Sequence, residues 1–76
     1  MTRYELLKTL EENNLLRPLF DTGMVSLTNY NSFTIYECYL FEMKHTKRKM
    51  DAISNVCIAC KTYEKRVQRA IKSMTE

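Results

Sequence analysis

Apolar residues recur at three- and four-residue spacings along most of the chain, which is the pattern of amphipathic helices. In residues 3–13 apolar side chains are interspersed with charged ones, and the pair Asn13–Asn14 then supplies a stop signal. A second, shorter apolar stretch is followed by Gly23, a residue suited to the left-handed conformation after a helix. The pattern predicts one helix over residues 3–13 and a helix of one or two turns near residues 17–22.

The longest predicted helix lies in residues 27–45 and is rich in aromatic residues. Its main stripe has spacings of three, four and three, and two more apolar residues widen it: Phe33, Tyr36, Leu40 and Met43, then Ile35 and Tyr39. Several of these residue types also favour strands, but strict alternation is absent and the run continues into EMKHTK without a turn signal. We therefore expect a helix whose aromatic stripe packs in the core.

Two further helices are predicted in residues 47–75. Thr46 suits the N-cap of a helix that begins at Lys47, and Thr62 suits the N-cap of a helix that ends near Met74. Their apolar faces are, in turn, Met50, Ile53, Val56, Cys57 and Cys60, then Val67, Ala70, Ile71 and Met74. Because only a short turn separates the two helices, they are expected to cross steeply and to pack against the helix before them. The predicted fold class is all-α, a small bundle of four to five helices that ends in a helix-turn-helix.

The composition indicates one globular domain spanning residues 1–76. Hydrophobic residues make up 45% of the chain and charged residues 28%, which excludes a disordered tail. A domain of this length has little room for an interior cleft, which disfavours an enzyme. Within the domain we expect an N-terminal helical arm (1–25), a support helix (27–45) and the helix-turn-helix (47–75).

Charge is segregated along the chain. Residues 1–43 carry three basic against six acidic residues, net −3, and residues 44–76 carry nine basic against three acidic residues, net +6. The run Lys47–Arg48–Lys49 is expected on a first helical turn, where cations are unfavourable by about 0.3–1 kcal/mol each. A surface built only for solubility intersperses the two signs, so the basic half is expected to face a polyanion.

The segment NVCIACKTYEKRVQRAIKSM resembles the helix-turn-helix pattern of bacterial and phage DNA-binding proteins. In that pattern Cys57 takes the place of the small residue in the first helix, and Val67 takes the place of the buried valine in the second. The resemblance covers about residues 47–75 and extends loosely to TIYECYLFEMK, which looks like the support helix of homeodomain-like bacterial regulators. The chain departs from the family at Lys61, where Gly is usual, and at Thr62, where an aliphatic residue is common.

The resemblance implies a duplex DNA-binding protein, either a small transcriptional regulator or an accessory factor of a phage or mobile element, with a recognition helix over about residues 62–74. The first turns of such a helix enter the major groove, where Gln pairs with the adenine edge and Arg with the guanine edge. The residues expected to read bases are Tyr63, Lys65, Gln68 and Arg69. Those expected to contact phosphates are Lys47, Arg48, Lys49, Arg66 and Lys72.

Little in the sequence points to other chemistry. Cys57 and Cys60 form a lone CxxC on a predicted apolar face, and with Cys38 and His45 they match no usual zinc finger. We expect reduced core cysteines, no metal and no cofactor. Because Gly23 is the only glycine, a glycine-rich phosphate loop is absent. With no membrane-spanning run and no signal-peptide layout, we expect a cytoplasmic protein with no membrane contact. Because no catalytic motif is found either, we expect no enzymatic activity and no small-molecule substrate.

Two protein partners also fit the sequence. The acidic amphipathic segment 1–22 suits self-association, which would give a homodimer on a two-fold DNA site, but the same face also suits the domain's own core. As an alternative to DNA, the basic helical hairpin suits an acidic protein, as in an adaptor or anti-repressor. RNA is disfavoured because the aromatic residues, apart from Tyr63, fall on predicted core faces.

Overall fold

Five α-helices make up the regular secondary structure of the computed structural model, which describes residues 1–76. They are α1 (Arg3–Glu12), α2 (Leu16–Asp21), α3 (Leu27–Met43), α4 (Lys49–Ala59) and α5 (Glu64–Thr75). No strand is present, so the all-α fold class predicted from the sequence is confirmed and the aromatic segment forms the longest helix. None of the five helices is long and apolar enough to cross a membrane.

Three helices end at a residue with a left-handed backbone: Asn14 (φ 60°) after α1, Gly23 (φ 83°) after α2 and Lys61 (φ 52°) after α4. After each, the next N–H returns to the carbonyl five residues earlier, with N···O distances of 2.8, 2.9 and 3.0 Å respectively. This is the Schellman arrangement, which satisfies carbonyls at a helix end. The stop signals at Asn13–Asn14 and Gly23 are confirmed.

The predicted start of the fourth helix is wrong by two residues. The Thr46 hydroxyl does not cap α4; it donates to the Glu42 carbonyl at 3.0 Å and closes the end of α3. Threonine side chains form such local bonds to the carbonyl four residues earlier, in competition with capping the next helix. The helix begins at Lys49 with Arg48 as its N-cap, so Lys47 and Arg48 lie before the first turn.

The predicted cap of the fifth helix is also wrong. Thr62 belongs to the turn after α4, where its N–H bonds to the Cys57 carbonyl at 3.0 Å. The N-cap of α5 is Tyr63, whose carbonyl accepts the N–H groups of Arg66 and Val67 at 3.0 and 3.2 Å. Because the Schellman turn uses the residue after Lys61, the new helix starts one residue later than predicted.

Two clusters of buried residues form the core, and α3 and α5 contribute to both. The larger joins α3, α4 and α5 through Ile35, Tyr39, Ala52, Ile53, Val56, Val67 and Ala70. The smaller joins α1 and α2 to α3 and α5 through Leu7, Leu16, Phe33 and Met74. The predicted inward positions of α5 are confirmed at Val67, Ala70 and Met74, but Met43 and Met50, expected on apolar faces, are exposed.

The N-terminal arm is held to the rest of the domain by polar contacts as well as by the core. The Tyr4 hydroxyl donates to Glu37 Oε2 at 2.9 Å, and Lys8 Nζ lies 2.9 Å from Glu37 Oε1. At the other side of the arm, Arg3 Nη1 donates to Ser73 Oγ at 2.8 Å. These contacts attach α1 to both α3 and α5.

Candidate nucleic-acid interface

The solvent-facing side of α5 carries the residues predicted to read bases. Val67, Ala70 and Met74 are fully buried and fix which side of the helix faces the core. At about 100° per residue, the opposite arc holds Lys65, Gln68, Arg69 and Lys72, and Glu64 and Thr75 lie at its edge; all six residues are exposed. Tyr63, the N-cap, is also exposed. The structure therefore brings the four predicted base-reading residues together on and beside one exposed surface, with Lys72 among them.

The amide of Gln68 has a partner on this surface that the sequence analysis did not include. Its Nε2 donates to Glu64 Oε1 at 3.2 Å, one turn earlier on the helix. Because an amide nitrogen has two hydrogens, the second N–H and the side-chain oxygen stay available. Glu64 thus orients Gln68, and the (i, i+4) spacing of the two residues is the sequence signal from which this contact could have been predicted.

The cations of α5 repel one another along the exposed arc. Lys65 and Arg69 are four residues apart, and Arg69 and Lys72 are three apart, so each pair lies side by side on the helix surface. Like charges at these spacings destabilise a helix by roughly 0.2–0.5 kcal/mol per pair. This stripe lowers the stability of the free helix and concentrates positive charge on one surface.

Arg66 differs from the other predicted phosphate contacts because its side chain is partly buried and fixed. Its Nη1 donates to Ser32 Oγ of α3 at 3.1 Å, and Ser32 is 3% exposed. Ser32 is the only polar residue in the buried set. Arg66 therefore lies on the flank of α5 that faces α3, beside the exposed arc and not within it.

The cluster Lys47–Arg48–Lys49 lies at the other end of α4 from the turn before α5. All three side chains are exposed, and the first two belong to the connection after α3. An 11-residue helix is about 16 Å long, so α4 separates this cluster from the turn by about that length. The structure thus places the predicted phosphate contacts in two groups, one at the start of α4 and one on α5.

Salt bridges are confined to the N-terminal half of the chain. The three ion pairs are Lys8–Glu11, Lys8–Glu37 and Arg17–Asp21. None of the nine basic residues in the segment 44–76 has a carboxylate partner within 4.0 Å, and all but Arg66 are exposed. The segregation of charge along the sequence is therefore not neutralised by folding.

The three cysteines are free and half-buried, and they pack against the larger core cluster. Burial, reinforced by the neighbouring Cys60, raises the pKa of the Cys38 thiol to about 11. At neutral pH this thiol is protonated and a poor nucleophile. No group of three or more His, Cys, Asp or Glu side chains is arranged to hold a metal ion.

Comparison with known proteins found no matching family model, no matching curated protein and no matching solved structure.

Proposed function

We propose that the protein binds duplex DNA, with α5 in the major groove, and acts as a small transcriptional regulator or as an accessory factor of a phage or mobile element. The observation that carries the proposal is the set of nine basic residues in the segment 44–76 without a carboxylate partner. Unpaired positive charge concentrated in one part of a folded chain is what binding to a polyanion such as DNA requires.

The proposed contacts to DNA divide into two kinds, those that read bases and those that bind phosphates. Gln68 and Arg69 carry the side chains that discriminate adenine and guanine edges, and each bidentate pair is worth about 1–3 kcal/mol of discrimination. Tyr63 and Lys65 precede them in the first turns that enter the groove. Arg66, Lys72 and the cluster Lys47–Arg48–Lys49 contact phosphates, which positions the helix without reading sequence.

An acidic protein is the second candidate partner, and one observation favours it. Ile58 is 78% exposed on α4, in the same helical hairpin as the basic residues of α5. Met50, at the start of the same helix, is also exposed. A partner that combined carboxylates with an apolar side chain would bury both methionine and isoleucine, whereas phosphates leave them in water.

The deciding experiment is the affinity for a fluorescent duplex of random sequence, measured by anisotropy between about 50 and 200 mM salt. Each phosphate contact contributes about −0.9 to the slope of log K against log salt. The five predicted phosphate contacts give a slope of about −4.5, so affinity should fall about 500-fold over this range. Absence of binding at the low-salt end would contradict the proposal and favour the acidic protein.

A charge-matched pair of variants assigns the contact to the basic half. Lys49→Gln is expected to reduce the slope by about 0.9. Arg17→Gln removes the same charge from the N-terminal half, where Arg17 is paired with Asp21, and is expected to leave the slope unchanged. Equal effects of the two substitutions would mean that net charge, and not this surface, drives binding.

Base reading has a separate signature. Gln68→Ala or Arg69→Ala should relax sequence preference, measured by selection from a random library, whereas Lys49→Gln should weaken all sequences alike. If both alanine variants select the same sites as the wild type with the same affinity, α5 is not the reading helix.

A further inference from the structure

A cationic cleft lies between the turn after α4 and the first half of α3, outside the exposed arc of α5. Its volume is about 500 Å³. Two positive side chains line it, together with hydroxyl and amide groups: Lys61, Arg66, Asn31, Thr34 and Thr62. No acidic residue lines it, and neither Lys61 nor Arg66 forms a salt bridge. A recess with two unpaired cations and no carboxylate is suited to an anion.

The two cations are placed by different parts of the fold. Arg66 is fixed by its bond to the buried Ser32, which uses one of the five N–H groups of the guanidinium. Lys61 is the left-handed residue of the turn, a position where Gly has no steric cost and a residue with a side chain does. Because Gly would give the same turn without strain, the Lys61 side chain is expected to have a role that offsets the strain.

We propose that this cleft binds a phosphate group of the DNA backbone through Lys61 and Arg66, an inference that rests on the proposed function. The major groove is about 12 Å wide and a helix with its side chains is about 10–12 Å across, so the flanks of a helix in the groove meet the sugar–phosphate walls. Arg66 is on such a flank, and Lys61 precedes it in the adjoining turn. A planar guanidinium can donate two parallel hydrogen bonds to two oxygens of one phosphate. The bond to Ser32 already holds the Arg66 side chain in place for such a contact.

The substitution Lys61→Gly separates a structural role of this residue from a binding role. Removing the side chain relieves the left-handed strain, so the midpoint of urea unfolding should rise. Loss of one phosphate contact should at the same time weaken binding to random-sequence DNA about five- to tenfold at 0.1 M salt and reduce the salt slope by about 0.9. A residue with only a structural role would not move stability and affinity in opposite directions.

Arg66→Gln and Arg17→Gln complete the test. Arg66→Gln should reproduce the loss of affinity and slope seen for Lys61→Gly, whereas Arg17→Gln, which lies outside the cleft, should not. If the wild type binds DNA and the two cleft variants behave like Arg17→Gln, the cleft is not a phosphate site and only this inference fails.

Titration with free phosphate tests the cleft without DNA. If the wild type binds no DNA, the proposed function fails, and titration of the ¹⁵N-labelled protein with sodium phosphate then shows whether the cleft binds phosphate at all. Amide shifts confined to residues around Lys61 and Arg66, and lost in Arg66→Gln, would assign the cleft to a free phosphate ester in place of the backbone of DNA. No such shifts would overturn the phosphate assignment altogether.

Discussion

Met74 connects the last turn of α5 to the N-terminal arm, and its replacement tests how the two halves of the chain are held together. The side chain is fully buried (0% exposed) in the cluster with Leu7, Leu16 and Phe33. Replacing a buried methionine by alanine costs about 2–5 kcal/mol. At about 0.05–0.15 kcal/mol per residue, the whole 76-residue domain is stabilised by only about 4–11 kcal/mol. Met74→Ala therefore removes a large fraction of the free energy of unfolding.

The expected result is a fall in Tm of at least about 8 °C, since a domain of this size loses about 4–8 °C for each kcal/mol. Thermal unfolding followed by circular dichroism at 222 nm measures it. Met24→Ala is the matched control, because Met24 is 80% exposed and its substitution should change stability by no more than about 0.5 kcal/mol. If the two variants melt within a few degrees of each other, Met74 is not in the core and the described packing of the arm against α5 is wrong.

Three further substitutions test the core and the polar contacts. Desolvation and a hydrogen bond to Glu37 raise the pKa of Tyr4 to about 12 in the folded protein, so as pH rises the unfolded chain loses the Tyr4 hydroxyl proton first. The free energy of unfolding, measured by urea titration, should therefore fall between about pH 10 and 12. Tyr4→Phe should make this fall smaller. Val67→Asp buries an unpaired charge and should abolish the cooperative melt seen by circular dichroism. Ser32→Ala frees Arg66, and should weaken DNA binding in anisotropy less than Arg66→Gln does.

The helices and the exposed surface of α5 were predictable because both follow from local periodicity. Once Val67, Ala70 and Met74 are assigned inward by their spacing, the residues on the opposite arc are determined. The starts of α4 and α5 were not predictable in the same way, because Thr46 has a competing local bond and Thr62 is used by the preceding turn.

The fixed position of Arg66 was beyond sequence reasoning. Its partner Ser32 is 34 residues away, and the contact depends on where α5 crosses α3. The left-handed turn was partly accessible, because the family pattern has Gly at the place of Lys61, but the cleft beside it requires α3 as its second wall. Long-range geometry of this kind is not encoded in spacing along one helix.

The length of α4 sets the distance between cations that lie at its two ends. Lys49, at the start of α4, lies about 16 Å along the helix from the turn that carries Lys61, so a chain of phosphates bound at one end of α4 meets the cation at the other end at a fixed distance. The second contact is then intramolecular, and its strength depends on effective concentration and not on free encounter. One residue inserted into α4 would turn one end of the helix by about 100° relative to the other. A single polyanion could then contact only one of the two groups of cations at a time.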